Sequence, residues 1–250
     1  MRKAAIDIGT NTVILVAGEV EKGQLTVEYG TDRTPRIAQG MGDSHKIPNH
    51  NMDKVIEVIQ EYQFLLNTEY KVEQVVVYAT SAVRDAINKQ DFVKKVERFT
   101  GLKVHVLSLE KESELMYYGA IHELPEFEHP VTVLEIGGGL THLAYGKYGY
   151  IIKTEAFNFG SVNFTERFFT SDPPSKSDIE QLREEVRSQL KQRDFQIAEK
   201  RLLVGCSGTA VSAAYILQEM KELSFEDVNG YRIMHKDLQQ LIDVFIHEPA

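Results

Sequence analysis

Two stretches of the sequence place a carboxylate just ahead of a glycine turn. Residues 5–13 read AIDIGTNTV and carry the carboxylate at Asp7, whereas residues 133–142 read VLEIGGGLTH and carry it at Glu135. Glycine lets backbone N–H groups approach an anion closely, and two carboxylates suit a largely hydrated magnesium ion. The chemistry indicated is the binding of a phosphate-like anion together with a divalent cation.

Either stretch alone is typical of an ordinary β-hairpin, and carboxylates that cap turns at strand ends are the plainer interpretation of both acids. The two stretches align without a gap, which puts Asp7 on Glu135 and Gly9 on Gly137. A repeat that keeps the acid in the same place favours two related domains that each present a turn to a shared cleft.

Further polar residues follow two apolar runs that are predicted to be buried strands. Arg84 comes after residues 75–79, at the carboxyl end of the first run, where open α/β sheets bind ligands. A guanidinium can hold two phosphate oxygens at once, although a solvated residue at a helix start is also compatible with this position. After the second run, residues 202–206, the turn Ser207-Gly208-Thr209 opens a helix and offers another anion or nucleotide site.

The patterning around these residues predicts two similar α/β halves, each with a three-stranded meander followed by alternating helices and strands. The predicted strands cover residues 3–9, 12–18, 25–29, 75–79 and 104–108 in the first half, and 131–136, 140–146, 150–157 and 202–206 in the second. Helices are expected near residues 51–67, 90–100, 111–124, 177–193, 207–220 and 237–247, with a capping box over Ser177–Glu180.

A proline-framed acidic stretch, residues 123–130, predicts the domain boundary. The expected domains are therefore residues 1–124, an N-terminal phosphate-binding α/β domain, and residues 125–250, a second α/β domain. The second half shows only one strand after its meander, where the first half shows two. We therefore expect the second domain to be truncated at its C-terminus, with a differently completed fold as the alternative.

Composition is typical of a globular protein, since the 250 residues are 42% hydrophobic and 26% charged. The net charge of −9 argues against a general nucleic-acid binder. Cys206 is the single cysteine, which excludes a disulfide framework. No apolar run is long enough to span a membrane, and we expect a cytoplasmic protein with neither nucleic acid nor membrane as a partner.

Six segments together resemble the exopolyphosphatase and guanosine pentaphosphate phosphatase (Ppx/GppA) family, and they occur in that family's order over nearly the whole chain. They are residues 5–12, 79–88, 137–141, 160–168, 206–209 and 230–232. The resemblance implies an α/β fold of two ribonuclease-H-like domains of the actin-like ATPase superfamily, with an inter-domain cleft. It also implies hydrolysis of a terminal phosphoanhydride in inorganic polyphosphate or guanosine pentaphosphate. A homodimer is left open.

The resemblance assigns roles to particular residues. Glu112 matches the family's catalytic glutamate, which activates the attacking water; the local sequence does not distinguish it from Glu110 and Glu114. Asp7 and Glu135 would hold Mg²⁺, with Mn²⁺ as the alternative metal. The expected phosphate-binding residues lie in the two turns and after the first buried strand: Gly9, Thr10, Asn11, Thr12, Arg84, Gly137, Gly138, Gly139 and Thr141.

Several residues depart from the family's pattern at the second turn. Glu135 stands in place of an aspartate, Leu140 in place of a serine and His142 in place of a glutamate, while Asn163 replaces an arginine. The roles of His142 and of the turn Ser207-Gly208-Thr209 therefore stay uncertain. These losses keep a second interpretation open, a catalytically weak phosphate or nucleotide sensor on the same fold. An ATP-dependent kinase of the same superfamily is the third.

Overall fold

The computed structural model describes residues 1–22, 24–122, 124, 129–193 and 201–247. The chain forms two compact units, Met1–Glu112 and Ser113–Ala250. The domain boundary expected between residues 124 and 125 adjoins residues 125–128, which lie outside the described part, and it stays a prediction. None of the helices within the described ranges is both long and apolar enough to cross a bilayer.

The first unit contains a five-stranded mixed sheet. Its strands are β1 (Arg2–Ile8), β2 (Val13–Glu21), β3 (Gln24–Arg33), β4 (Gln74–Ala79) and β5 (Val104–Val106), arranged in the order β3-β2-β1-β4-β5. The first three strands are antiparallel, and β4 and β5 add in parallel on the other side of β1. The apolar run of β4 agrees with its place inside the sheet, because parallel strands are covered on both faces.

Helices cover this sheet and complete its core. They are α1 (Asn49–Leu65), α2 (Ser81–Arg84) and α3 (Lys89–Thr100), while α4 (Leu109–Ile121) begins at the end of the unit. Helix α1 continues into a short π-helix at Leu66–Tyr70. A short 3₁₀ turn spans Gly42–Ser44. The fully buried side chains include Ile6, Ile8, Leu15, Tyr62, Val77 and Phe92. Helix α3 ends at Gly101, whose φ of 71° is the left-handed conformation that glycine adopts at little steric cost.

The second unit contains a four-stranded sheet of the same design. Its strands are β6 (Val131–Ile136), β7 (Thr141–Lys147), β8 (Tyr150–Phe157) and β9 (Leu202–Cys206), in the order β8-β7-β6-β9. The meander of β6, β7 and β8 is antiparallel, and β9 adds in parallel to β6. The helices are α5 (Ser161–Phe168), α6 (Lys176–Lys191), α7 (Ser207–Leu217), α8 (Phe225–Val228) and α9 (His235–Phe245).

The start of α6 corrects one prediction. The capping box expected over Ser177–Glu180 forms two residues earlier, where the Asp178 N–H donates to Ser175 Oγ at 3.1 Å and the Ser175 N–H donates to Asp178 Oδ2 at 3.1 Å. Both frames offer a serine followed by an acid three residues later. The earlier frame is selected because Asp178 Oδ2 also accepts from the Thr170 hydroxyl at 3.1 Å.

The expected fold class, an α/β protein with two ribonuclease-H-like domains, is confirmed. The sheet of each unit consists of a three-stranded antiparallel meander, with parallel addition on the free side of its first strand. The second unit has one such added strand among its described residues, where the first has two.

Candidate functional site

The first glycine turn joins β1 to β2. The Gly9 N–H donates to the Thr12 carbonyl at 2.9 Å, directly beyond the last strand pair, Ile8 with Val13. The Thr10 hydroxyl lies 2.7 Å from the hydroxyl of Ser81, the first residue of α2. The turn is therefore tied to the carboxyl end of β4, as the sequence pattern indicates for a ligand-binding edge.

The peptide groups of this turn have a defined orientation. The Thr10 carbonyl accepts from the Ala38 N–H at 3.2 Å, and the Asn11 carbonyl accepts from the Arg36 N–H at 2.9 Å. In a planar trans peptide the N–H points away from the preceding carbonyl. The N–H groups of Asn11 and Thr12 are consequently directed away from the loop that holds the carbonyls, which suits an anion on that side.

The second turn, between β6 and β7, repeats this construction. The Gly137 N–H donates to the Leu140 carbonyl at 2.9 Å. Here the carbonyls are held by the first turn of α5: Gly137 O accepts from the Ser161 N–H at 2.8 Å and Gly138 O from the Val162 N–H at 2.9 Å. The N–H groups of Gly138 and Gly139 are therefore directed away from α5. The repeat seen in the sequence extends to the hydrogen bonds of both turns.

Hydroxyl groups that follow the parallel strands hold the last carbonyl before each turn. In the first unit Thr80 Oγ1 donates to Ile8 O at 3.4 Å. In the second, Thr209 Oγ1 donates to Ile136 O at 2.8 Å and Ser207 Oγ to the same oxygen at 3.4 Å. The hydroxyl protons of Ser207 and Thr209, which the sequence leaves as uncertain site residues, are thus used within the fold, and Gly208 lies between them.

The carboxylate of Asp7, in the first unit, lacks a hydrogen bond to one of its oxygens within the described part of the chain. Its Oδ1 is fully buried and has no hydrogen-bond partner among the residues that the structure describes. Burial raises the pKa of Asp7 to about 6, and the nearby charge of Glu112 adds to the effect. A cation beside this oxygen would stabilise the ionised form, so the position fits one ligand of a hydrated divalent metal.

Arg84 and Glu112 form an ion pair close to Asp7. Arg84 Nη1 donates to Glu112 Oε2, and it also lies 3.3 Å from the Leu107 carbonyl. The two side chains are 16% and 15% exposed, so the pair is largely shielded from water. The structure therefore brings together three predicted site residues, a metal ligand, a phosphate ligand and a base, within one unit.

The predicted residues of the second unit have varied surroundings. The Thr141 hydroxyl is buried and donates to the Phe159 carbonyl at 2.8 Å, which uses its only proton. His142 is 2% exposed, and its Nδ1 lies 3.0 Å from the Ser113 hydroxyl of α4. Glu135 pairs with His142 across the sheet, in the same register in which Asp7 pairs with Ile14.

Cys206 on β9 lies beside Glu135 on β6. The surroundings of its thiol disfavour the thiolate, which is the nucleophilic form. Its Sγ is 3.7 Å from the Leu134 carbonyl. Burial, together with the nearby charge of Glu135, raises the pKa of the thiol to about 12. A thiol that stays protonated is a small core group.

The carboxylates fit a metal that keeps most of its water. In the described part of the chain no three His, Cys, Asp or Glu side chains are grouped closely enough to enclose an ion. Magnesium is usually bound through one or two carboxylates, several waters and the substrate phosphates rather than by a protein cage. The orphaned oxygen of Asp7 is the observation that supports such a site.

Sequence reasoning missed the groups that orient the two turns. Arg36 and Ala38 act through backbone N–H groups, and Arg36 has a φ of 53° that no residue pattern predicts. Gly160 and Asn163 carry a signal only through their place in the family-like segment 160–168. Their contact with the glycine turn spans more than twenty residues of chain, so no local pattern could have revealed it.

Solved structures of other proteins share this fold. A crystal structure of the Aquifex aeolicus member of the Ppx/GppA protein family superimposes with a TM-score of 0.83 at 28% identity, over 100% of this chain and 80% of that chain. An exopolyphosphatase from Cytophaga hutchinsonii superimposes with a TM-score of 0.88 at 22% identity, over 100% of this chain and 81% of that chain. The second likeness supports the fold alone.

Proteins with curated functions are similar along nearly the whole chain. Exopolyphosphatase 2 of Mycobacterium tuberculosis is 28% identical over 96% of this chain and 78% of its own length. The bifunctional 3-dehydroquinate synthase/phosphatase of Fusobacterium nucleatum is 27% identical over 98% of this chain, which spans only 38% of that protein. The model of the Ppx/GppA phosphatase family matches residues 15–250. The chain therefore belongs to the Ppx/GppA phosphatase family, and the expected class of enzyme, a phosphohydrolase, follows from that membership.

Proposed function

We propose that the chain releases the terminal phosphate of inorganic polyphosphate or guanosine pentaphosphate by attack of water. The observation that carries this proposal is the grouping of Asp7, Arg84 and Glu112 in the first unit. Phosphoryl transfer needs neutralised phosphate charge, a water in line with the phosphorus and a carboxylate to accept its proton. These three side chains have the chemistry for those tasks.

Arg84 and Glu112 change partners in this proposal. In the free protein the guanidinium and the carboxylate hold each other. A phosphate can take the guanidinium through two oxygens, because the planar fork of arginine matches phosphate geometry. Glu112 then loses its ion pair with Arg84, and its carboxylate becomes available to accept a proton of the attacking water.

The two glycine turns bind the phosphates of the substrate, and Asp7 and Glu135 bind the metal that accompanies it. N–H groups of Asn11, Thr12, Gly138 and Gly139, oriented by the hydrogen bonds of their carbonyls, would donate to phosphate oxygens. Asp7 and Glu135 would hold Mg²⁺ or Mn²⁺, which when bound would neutralise phosphate charge. Fixed donors reduce the reorganisation needed at the moment of reaction, so most of the rate enhancement would come from orientation and charge.

Replacing Glu112 by Gln tests the proposed base. Phosphate release from long-chain polyphosphate should fall by about a hundredfold or more, the usual share of a general base. Glu110→Gln, an exposed change on the same helix, is the matched control and should stay within about twofold of wild type. Thermal unfolding is measured alongside, because Glu112→Gln also removes the ion pair with Arg84. Equal activity of wild type and Glu112→Gln would reject the proposed mechanism.

A sensor without turnover is the second candidate. It is favoured by the Thr141 hydroxyl and the His142 ring, which are both engaged inside the second unit rather than presented to a ligand. A sensor would gain thermal stability with added polyphosphate, since a ligand that binds only the folded state stabilises it. It would show the same background phosphate release before and after the Glu112→Gln change.

A substrate panel identifies the bond that is cut. Polyphosphates of several lengths, guanosine pentaphosphate and ATP are each supplied with Mg²⁺ or Mn²⁺. We expect turnover of polyphosphate or guanosine pentaphosphate and no consumption of ATP. ATP consumption that depends on an added acceptor would instead indicate a kinase.

A further inference from the structure

The side chain of Asn163 joins the glycine turn to the helix behind it. Its Nδ2 donates to the Gly139 carbonyl at 3.0 Å, and its Oδ1 accepts from the Gly160 N–H at 2.7 Å. Asn163 is half-buried. Both ends of one short amide are therefore engaged, one on the turn and one on the residue that precedes α5.

The backbone next to Asn163 leaves no room for a side chain at Gly160. A Cβ at Gly160 would lie 2.5 Å from the Gly137 oxygen and 2.6 Å from the Gly138 carbonyl. This approach lets the Asn163 N–H join the Val162 N–H on Gly138 O, at 3.2 Å. Helix α5 and the turn thus form one hydrogen-bonded body, in which Asn163 supplies the side-chain bond to the last glycine.

The bond to Gly139 fixes a peptide group that no backbone donor of the described residues holds. In the described residues the carbonyls of Gly137 and Gly138 accept from backbone N–H groups of α5, whereas the Gly139 carbonyl accepts from the Asn163 side chain. That carbonyl belongs to the peptide whose N–H is on Leu140. Because the peptide is planar and trans, fixing its carbonyl also fixes the direction of the Leu140 N–H.

We propose that Asn163 is a positioning residue for phosphate, which acts by holding the Gly139–Leu140 peptide so that the Leu140 N–H can donate to the ligand. The inference rests on the proposed phosphate-binding function of this turn. It gives the turn a third N–H donor, beside those of Gly138 and Gly139. In the first unit the loop through Arg36 and Ala38 orients the turn with backbone groups, and among the described residues of that unit no asparagine side chain bridges the turn in this way.

Two substitutions separate positioning from simple support of the helix. Asn163→Asp keeps an acceptor for the Gly160 N–H and places a carboxylate in the first turn of α5, where it favours the helix. The same change loses the donor to Gly139 and sets an oxygen against its carbonyl. Asn163→Ala removes both bonds, and Thr165→Ala, an exposed change on the same helix, is the control.

The primary measurement is the ¹⁵N order parameter of the Gly139 and Leu140 amides in the unliganded full chain. We expect values near about 0.85 in wild type and in Thr165→Ala, and below about 0.6 in both Asn163 variants. Asn163→Asp should nevertheless unfold within a few degrees of wild type. The KM for polyphosphate should rise about tenfold in both Asn163 variants, the size expected when one oriented donor is lost.

The outcomes separate this inference from the proposed function. The inference would be overturned if the Gly139 and Leu140 amides of Asn163→Asp had the same order parameters as in wild type, or if Asn163→Asp had the same KM for polyphosphate as wild type. Asn163 would then serve only as a helix cap. Failure of the wild-type protein to bind or hydrolyse polyphosphate would reject the proposed function, while the amide measurements would still decide whether Asn163 holds the peptide.

Discussion

At the scale of single residues, Asp7 combines a buried carboxylate oxygen with a second negative charge close by. Its buried Oδ1 accepts no hydrogen bond within the described ranges, and Glu112 places a second negative charge nearby. A fold does not gain stability from such an arrangement, because a buried charge without a partner is costly. The arrangement is more easily understood if a cation occupies this position during function.

Replacing Asp7 by Asn should stabilise the metal-free protein at neutral pH. The pKa of Asp7 is about 6 in the folded chain against an ordinary aspartate value of 3.8, so between these values the folded state binds more protons than the unfolded state. Stability from this group is complete below pH 3.8 and is lost as the pH rises through 6, on the order of 3 kcal/mol at pH 7. The Asp7→Asn variant keeps all other residues of the site, Asn163 included.

Urea unfolding in EDTA from pH 4 to 7.5 measures this effect. The advantage of Asp7→Asn over wild type should grow across that range, whereas Asp32→Asn, on exposed β3, should show no such trend. Added Mg²⁺ should stabilise wild type and leave Asp7→Asn unaffected. A constant difference between the two proteins at every pH would contradict the assigned pKa.

The family resemblance pointed to Asp7 and Arg84 through their places in the family-like segments, and to Glu112 through its match to the family's catalytic glutamate. It could not predict that Arg84 and Glu112 hold each other, because that contact joins the end of α2 to the first turn of α4. The commitment of the Thr141 hydroxyl to Phe159 was also out of reach, since it depends on where the chain after β8 passes. Side-chain partners across the fold are a property of packing, which single-sequence patterns do not carry.

At the scale of elements, two glycines show how differently the same residue type can be placed. Gly146, where the register of β7 shifts, has no room for a side chain: an added Cβ would lie 2.1 Å from the Tyr117 hydroxyl and 2.6 Å from the Tyr150 carbonyl. Gly119 lies exposed within α4, and an added Cβ would meet none of the described atoms within 4 Å.

Alanine at these two positions should have opposite effects on stability. Gly119→Ala should stabilise the protein by about 0.5–1 kcal/mol, because glycine is a poor residue within a helix. Gly146→Ala should destabilise it by about 1–3 kcal/mol, since Tyr117 must leave its buried position. Urea unfolding of both variants against wild type provides the comparison. An unchanged Gly146→Ala would mean that Tyr117 can move aside freely.

Element types were largely predictable because hydrophobic periodicity is strong in this chain. The meanders and the buried run of β4 follow from patterns of two and from continuous β-branched residues. Boundaries were less accurate: β3 spans Gln24–Arg33, whereas residues 25–29 were expected. Its added length comes from pairing with all of β2, a contact that local propensity does not encode.

At the scale of the whole molecule, protein and proposed substrate carry charge of the same sign. The net charge is −9, and polyphosphate is a polyanion. The long-range field therefore opposes approach, so under the proposed function attraction would come from local donors such as Arg84 and the N–H groups of the turns. Salt screens the long-range part more strongly than the shielded local contacts.

Raising ionic strength should therefore not weaken turnover of long polyphosphate. We expect kcat/KM to rise about two- to threefold between about 20 and about 150 mM salt at constant free Mg²⁺, as the Debye length shortens. Pyrophosphate, with less charge, should respond less. A steep fall with salt, as is usual when a basic surface binds a polyanion, would show that an extended cationic patch contributes instead.

The missing room at Gly160 also limits how this gene can change. Any missense change of a glycine codon adds a β-carbon, and here that carbon would collide with the carbonyls of Gly137 and Gly138. Every amino-acid substitution at position 160 would therefore disturb the contact between the turn and α5, whichever residue replaces the glycine. Laboratory evolution toward new substrates would have to begin at other codons, with the seam between turn and helix inherited intact.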